Sequence, residues 1–148
     1  MLTASRLPSP EADDRECYRV VLPSDVSQVG HLVEVVAQCC FGPEPVAGRA
    51  HFRVCTVVAE AVANAMLYGN RNDPARRVVV EIEVHATHLV IGVTDEGDGF
   101  DPDALPDPTT PEALERTTGR GLYMIRRLAD HVAFNDRGNT IWMTLPRC

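Results

Sequence analysis

The sequence predicts an α+β fold: a two-layer sandwich in which a mostly antiparallel sheet is covered on one face by helices. Two pairs of strand-like runs are joined by tight turns. "RVVVEIEVH" and "HLVIGVTD" are separated only by Ala86 and Thr87, and "VAFND" and "NTIWMTLP" only by Arg137 and Gly138. Apolar residues alternate closely enough in these runs for half-buried strands, and short connections make antiparallel hairpins. Two further segments, "VSQVGHLVEVVAQCCF" and the stretch from about Ala47 to Tyr68, place apolar residues at helical spacing.

The elements follow in order. Residues 1–14 are rich in Pro, Asp and Glu and predict a flexible arm ahead of a single domain over 15–148. "CYRVVLP" (17–23) reads as the first strand, and Ser24 offers an N-cap for the first helix. "GPEPVAG" breaks that helix. The second helix can stop at Gly69, and "NRNDP" turns the chain into the first hairpin. Residues 100–118, with Pro102, Pro106, Pro108 and Pro111, predict a loop. "GLYMIRRLADHV" is helical, and the second hairpin closes the chain. The expected order is β-α-α-β-β-loop-α-β-β, with no internal repeat.

Composition narrows the function. The formal net charge of -7 over 148 residues disfavours direct nucleic-acid binding, which needs a basic surface. No apolar run reaches the roughly 18 residues of a membrane span. "MLTASRLPSPEADDRE" lacks the apolar core of a signal peptide, so a cytoplasmic protein is expected. Five cysteines, at 17, 39, 40, 55 and 148, form no CxxC pair, so neither a disulfide framework nor a zinc site is predicted. Cys39 and Cys55 fall in apolar helical patterns and read as small hydrophobes. His85 and His88 flank a turn without metal-ligand spacing.

Three short stretches hold the candidate chemistry. On the second helix Val54, Val58, Ala61 and Ala65 form the core stripe, and Glu60 and Asn64, four residues apart, stack beside it. At the rim of a core, the pair is either solvated or put to use. A carboxylate there can accept a proton, and an amide oxygen can ligate a hard cation. "VTDEGDGF" (93–100) leaves a strand through three acids and two glycines, either as a solvated turn or as a ligand site. It is not a calcium loop, because positions six and twelve from Asp95 are Phe100 and Pro106. "TTGRGLYMI" (117–125) opens a helix with Gly119 and Gly121 around Arg120, and a helix N-terminus favours anions. By itself this is a flexible cap or a phosphate seat. No GK[ST] follows a glycine run, and a third glycine is missing, so neither a P-loop nor a dinucleotide fingerprint is present.

Taken in order, "EAVAN" (60–64), "DEGDG" (95–99) and "GRGL" (119–122) resemble the asparagine box and the two glycine boxes of the GHKL (histidine-kinase-like) ATPases. That family includes gyrase B, MutL and the histidine-kinase ATP-binding domain. The single-domain form looks most like the anti-sigma-factor serine/threonine kinases of the RsbW and SpoIIAB type, over residues 17–146. The resemblance implies a Bergerat-type ATP-binding fold with ATP or ADP and Mg²⁺ as cofactors. It makes Asp95 the acceptor for the adenine amino group, with Gly97 and Gly99 keeping the turn thin. It makes Asn64 a Mg²⁺ ligand, and Gly119, Arg120, Gly121 and Leu122 the phosphate seat. Thr140 would help to hold the adenine, and residues 100–118 would form a mobile lid. Glu60 would be the catalytic base. One departure is Tyr68 before Gly69, where relatives often carry histidine.

Two functions follow as expectations. The first is an Mg·ATP-dependent protein serine/threonine kinase in a partner switch. Its substrate would be a STAS-type anti-sigma-factor antagonist, and a sigma factor and a second copy of the chain would be further partners. The alternative is a nucleotide-dependent binding module with little or no transfer. Glu60 favours the first, since a chain built only to bind has no need of a base there.

Overall fold

In the run Arg77–Val84, every second side chain is buried: Val78, Val80, Ile82 and Val84. The pleat sends these to one side, so the sheet has one covered face and one open face. The computed structural model describes residues 2–8, 15–43, 48–98 and 117–148, with side chains from Gly121 onward in the last segment.

The strands are β1 (Ser5–Leu7), β2 (Glu16–Pro23), β3 (Arg77–Val84), β4 (His88–Thr94), β5 (His131–Phe134) and β6 (Thr140–Pro146). They form one six-stranded sheet in the order β1-β2-β3-β4-β6-β5. Every neighbouring pair is antiparallel. The register lines buried residues into rows, such as Val20–Val80–Val93 and Val84–Leu89–Leu145. On the open face the Trp142 ring lies against Gly92, where an added Cβ would come within 2.4 Å of it.

Three helices cover the buried rows: α1 (Val29–Phe41), α2 (Arg49–Asn64) and α3 (Thr117–Leu128). Helix α2 lies between the other two and packs on both. Its stripe Val54, Val58, Ala61 and Ala65 is buried, as the helical spacing predicts. The α+β sandwich expected from sequence is therefore the observed fold.

Several details differ from the sequence expectation. Within the segment expected to be a flexible arm, Ser5–Leu7 form β1 and pair with Cys17–Arg19 of β2. Three residues are too short to show alternation, and only the exposed edge of β2 gives them a partner. Ser24 does not cap a helix. Asp25 does, by accepting from the Ser27 N–H, while the buried Ser24 hydroxyl donates to the Arg76 carbonyl. Cys40, rather than Cys39 or Cys55, is the fully buried thiol, and desolvation pushes its pKa up to about 12. The last helix stops at Leu128, and His131 and Val132 belong to β5. The second helix stops being α-helical at Asn64, and Ala65–Gly69 form a single wider π-turn closed by Asn70 N–H on the Ala65 carbonyl.

Candidate functional site

The site is assembled where α2, the end of β4 and the start of α3 meet. Glu60 and Asn64 are partly buried at the last turn of α2. Gly121, in the second turn of α3, packs directly on them. A Cβ added there would fall 2.8 Å from Asn64 Nδ2 and 2.9 Å from Glu60 Oε2. A side chain at position 121 would displace the ends of Glu60 and Asn64. Within the described residues neither Glu60 nor Asn64 has a side-chain hydrogen bond or ion pair. The carboxylate and the carboxamide, with no such partner among the described residues, stand beside the N-terminal end of a helix, where backbone N–H groups favour an anion.

Helix α3 begins at Thr117, two residues before the first glycine, so Gly119 and Arg120 lie in its first turn. Leu122 is buried. Thr117 and Thr118, the end of the expected lid, are helical. Gly99, the last residue of "DEGDG", and residues 100–116, the rest of the expected lid, lie outside the described residues.

The first glycine turn sits against the end of α2. Asp95 is the first residue after β4, and its Oδ1 accepts from the Gly97 N–H at 2.8 Å. The carboxylate lies over Gly69, where an added Cβ would meet Asp95 Oδ2 at 2.2 Å. Gly97 lies over the same residue, with an added Cβ 2.0 Å from the Gly69 carbonyl oxygen. Gly69 and Gly97 are thus required for space. Neither appears among the positive-φ glycines Gly42, Gly48 and Gly138. Burial raises the Asp95 carboxyl pKa above the ordinary carboxylate value, against the opposing Gly97 N–H and the Arg137 and Arg76 charges. The Thr140 hydroxyl is 2.9 Å from that of Thr94 on the neighbouring strand, which ties the candidate adenine threonine to the end of β4.

Sequence reasoning missed Asn70. It is fully buried, and its Nδ2 donates to Ser24 Oγ at 2.8 Å and to the Arg77 carbonyl at 3.0 Å. Its Oδ1 accepts from the Glu96 N–H at 2.8 Å. One side chain thus joins the π-turn to the end of β2, the start of β3 and the turn after β4. An asparagine just past a helix end looks like an ordinary turn residue, so its signal was not separable from that of Asn72. Asn70→Ala is expected to cost about 2–4 kcal/mol in urea unfolding, because the buried Ser24 hydroxyl and the part-buried Glu96 N–H and Arg77 carbonyl lose their partner together.

The donor set suits an adenine nucleotide with a hard cation. Asp95 offers an acceptor just past the end of β4, and Asn64 a carboxamide whose Oδ1 lies 3.4 Å from a Cβ added at Gly121. Among the described residues no group of three or more His, Cys, Asp or Glu could hold a metal ion. A cation at Asn64 would take its other ligands from phosphate oxygens and water, as Mg²⁺ beside nucleotides commonly does.

A family model described as the histidine kinase-like ATPase domain matches residues 22–145. The anti-sigma F factor of Oceanobacillus iheyensis is 34% identical over 95 residues, covering 60% of this chain and 64% of that protein. The anti-sigma F factor of Anoxybacillus flavithermus is 37% identical over 89 residues, covering 57% and 59%. The serine-protein kinase RsbW of Bacillus subtilis is 33% identical over 94 residues, covering 59% of each chain. The match spans less than two thirds of the length of these curated relatives.

Proposed function

The chain belongs to the histidine kinase-like ATPase domain family, and from that premise we propose that it binds Mg·ATP and phosphorylates a serine or threonine of a partner protein. The observation that carries this reading is the packing of Gly121 on Glu60 and Asn64. It brings a carboxylate and a carboxamide to the end of α3 that favours phosphate.

In this reading Asp95 accepts a hydrogen bond from the adenine amino group, with Thr140 beside it. The first turn of α3, including Gly119, Arg120 and Gly121, receives the phosphates. Asn64 holds Mg²⁺, which when bound neutralises phosphate charge. Glu60 orients the partner's hydroxyl and takes its proton as that oxygen forms its bond to the γ-phosphorus. The bond from the γ-phosphorus to the bridging oxygen breaks, and ADP leaves. Phosphoryl transfer asks a protein chiefly for alignment and charge stabilisation, and these residues supply both.

The relatives' names, anti-sigma F factor and serine-protein kinase, support a partner switch that includes a sigma factor. We further propose a STAS-type antagonist as the substrate and a second copy of the chain as dimer partner. Calorimetric titration with Mg·ATP, paired with radiolabelled transfer to a STAS-type protein, tests it. Tight binding and labelled serine or threonine are expected. Tight binding with no labelled partner would replace the kinase by a nucleotide-dependent binding module. No binding would remove both.

A further inference from the structure

Asp95 can select adenine only if its carboxylate keeps one orientation, and it stands where regular strand pairing ends. The last pair in register between β4 and β6 is Thr94 with Thr140. One residue further, the Asp95 N–H still donates to the Asn139 carbonyl at 3.0 Å. The next peptide unit, from the Asp95 carbonyl to the Glu96 N–H, has no strand to hold it. It is held by two carboxamides. Asn139 Nδ2 donates to the Asp95 carbonyl at 3.0 Å, and Asn70 Oδ1 accepts from the Glu96 N–H at 2.8 Å. A trans peptide directs its C=O and N–H to opposite sides, so the two asparagines grip one plane from its two edges. That plane fixes the backbone torsion from which the Asp95 side chain starts.

Asn139 is itself oriented. Asn135 Nδ2 donates to Asn139 Oδ1 at 2.7 Å, which leaves the Asn139 amide N–H₂ facing Asp95. Asn135 Oδ1 accepts from the N–H groups of Gly138, Asn139 and Thr140 at 2.8, 3.0 and 3.1 Å. The turn between β5 and β6 is thus built around Asn135 and delivers one carboxamide to the end of β4. These bonds exceed what closing a hairpin requires, because the Asn139 side chain crosses to another strand.

We propose that Asn139, oriented by Asn135 and acting with Asn70, is a positioning residue for base selection: it acts through Asp95 and does not touch the nucleotide. The inference rests on the reading of Asp95 as the acceptor for the adenine amino group. Its readout is the affinity ratio between ATP and purine riboside triphosphate, which lacks only that amino group.

Both nucleotides are titrated with Mg²⁺ into the parent chain, Asn139→Ala, Asp95→Asn and the double variant, after circular dichroism confirms folding. The parent is expected to prefer ATP by about tenfold to a hundredfold, the worth of one charge-assisted hydrogen bond. Asn139→Ala is expected to bring the ratio within about threefold of one, with purine riboside triphosphate bound as in the parent. In the Asp95→Asn background, Asn139→Ala is expected to change the ratio no further, since a residue acting only through Asp95 has nothing left to position. Asn135→Asp supplies an independent variant. It keeps the oxygen that accepts from the turn but sets a carboxylate against Asn139 Oδ1, so the Asn139 amide turns its oxygen toward the Asp95 carbonyl. The ratio should fall here as well.

An equal loss of affinity for both nucleotides in Asn139→Ala would make Asn139 part of the pocket wall and overturn the proposal. An unchanged ratio in both Asn139→Ala and Asn135→Asp would overturn it too. A parent that binds both nucleotides equally would show that Asp95 does not read the amino group, removing the reading beneath the proposal before any variant is compared.

Discussion

Glu60→Gln is expected to lower phosphate transfer to the partner by roughly 10² to 10⁴ while leaving Mg·ATP affinity within about twofold. Glutamine keeps the length and the hydrogen-bonding reach of glutamate but cannot take a proton. The fold should tolerate the change, since Glu60 is only partly buried and has no ion-pair partner among the described residues. Gly121 stays in contact with a side chain of the same shape. Single-turnover transfer with labelled ATP gives the rate, and calorimetry gives the affinity. Full transfer by the variant would reduce Glu60 to a rim residue of α2. A loss of affinity equal to the loss of rate would mean that Glu60 serves the nucleotide and not the substrate hydroxyl.

Asp95→Asn is expected to weaken ATP and ADP binding by about tenfold to a hundredfold, with no loss of stability in the free protein. The amide still presents an oxygen to the Gly97 N–H, so the turn keeps its bond. It turns its N–H₂ toward the adenine amino group, and two donors then face one another. The stability expectation follows from the raised Asp95 pKa, whose leading cause is desolvation. A carboxyl with a higher pKa in the folded protein than in the unfolded chain holds its proton more tightly when folded. Its charge therefore disfavours folding above the folded pKa, and this cost is relieved as the pH falls through that value. Asparagine carries no charge to desolvate, so thermal melting of the free variant at neutral pH should match or exceed the parent. A lower melting temperature with unchanged ATP affinity would assign Asp95 to the turn and not to the base.

The two variants separate steps that one site combines. Asp95 lies at the proposed base-binding end, beside Gly69 and Gly97, while Glu60 and Asn64 lie against Gly121. Helix α2 with its terminal π-turn spans both ends, and its core stripe is anchored on the sheet. Residues at one end can be altered with little effect at the other, because Asp95 and the Glu60–Asn64 pair share no partner among the described residues.

Much of this architecture was legible in the sequence because it is written in local periodicity. Alternation in 77–84 and 88–94 fixed a hairpin with one buried face, and helical spacing from Val54 to Ala65 fixed which side of α2 faces the sheet. The same periodicity put Glu60 and Asn64 beside that stripe, and the order of the three motifs pointed to a nucleotide. Tertiary structure decided what depends on residues far apart in the chain. Ser5–Leu7 form a strand only because β2 offers an unpaired edge. Gly69 reads as a helix stop, yet the Asp95 carboxylate twenty-six positions later is what leaves no room for a side chain there. Asn70 and Asn139 look like turn residues, but they reach across 26 and 44 positions to hold the two edges of one peptide plane. A turn residue and a clamp have the same local composition. Only the closing of the sheet against α2 brings the peptide they grip within hydrogen-bonding distance.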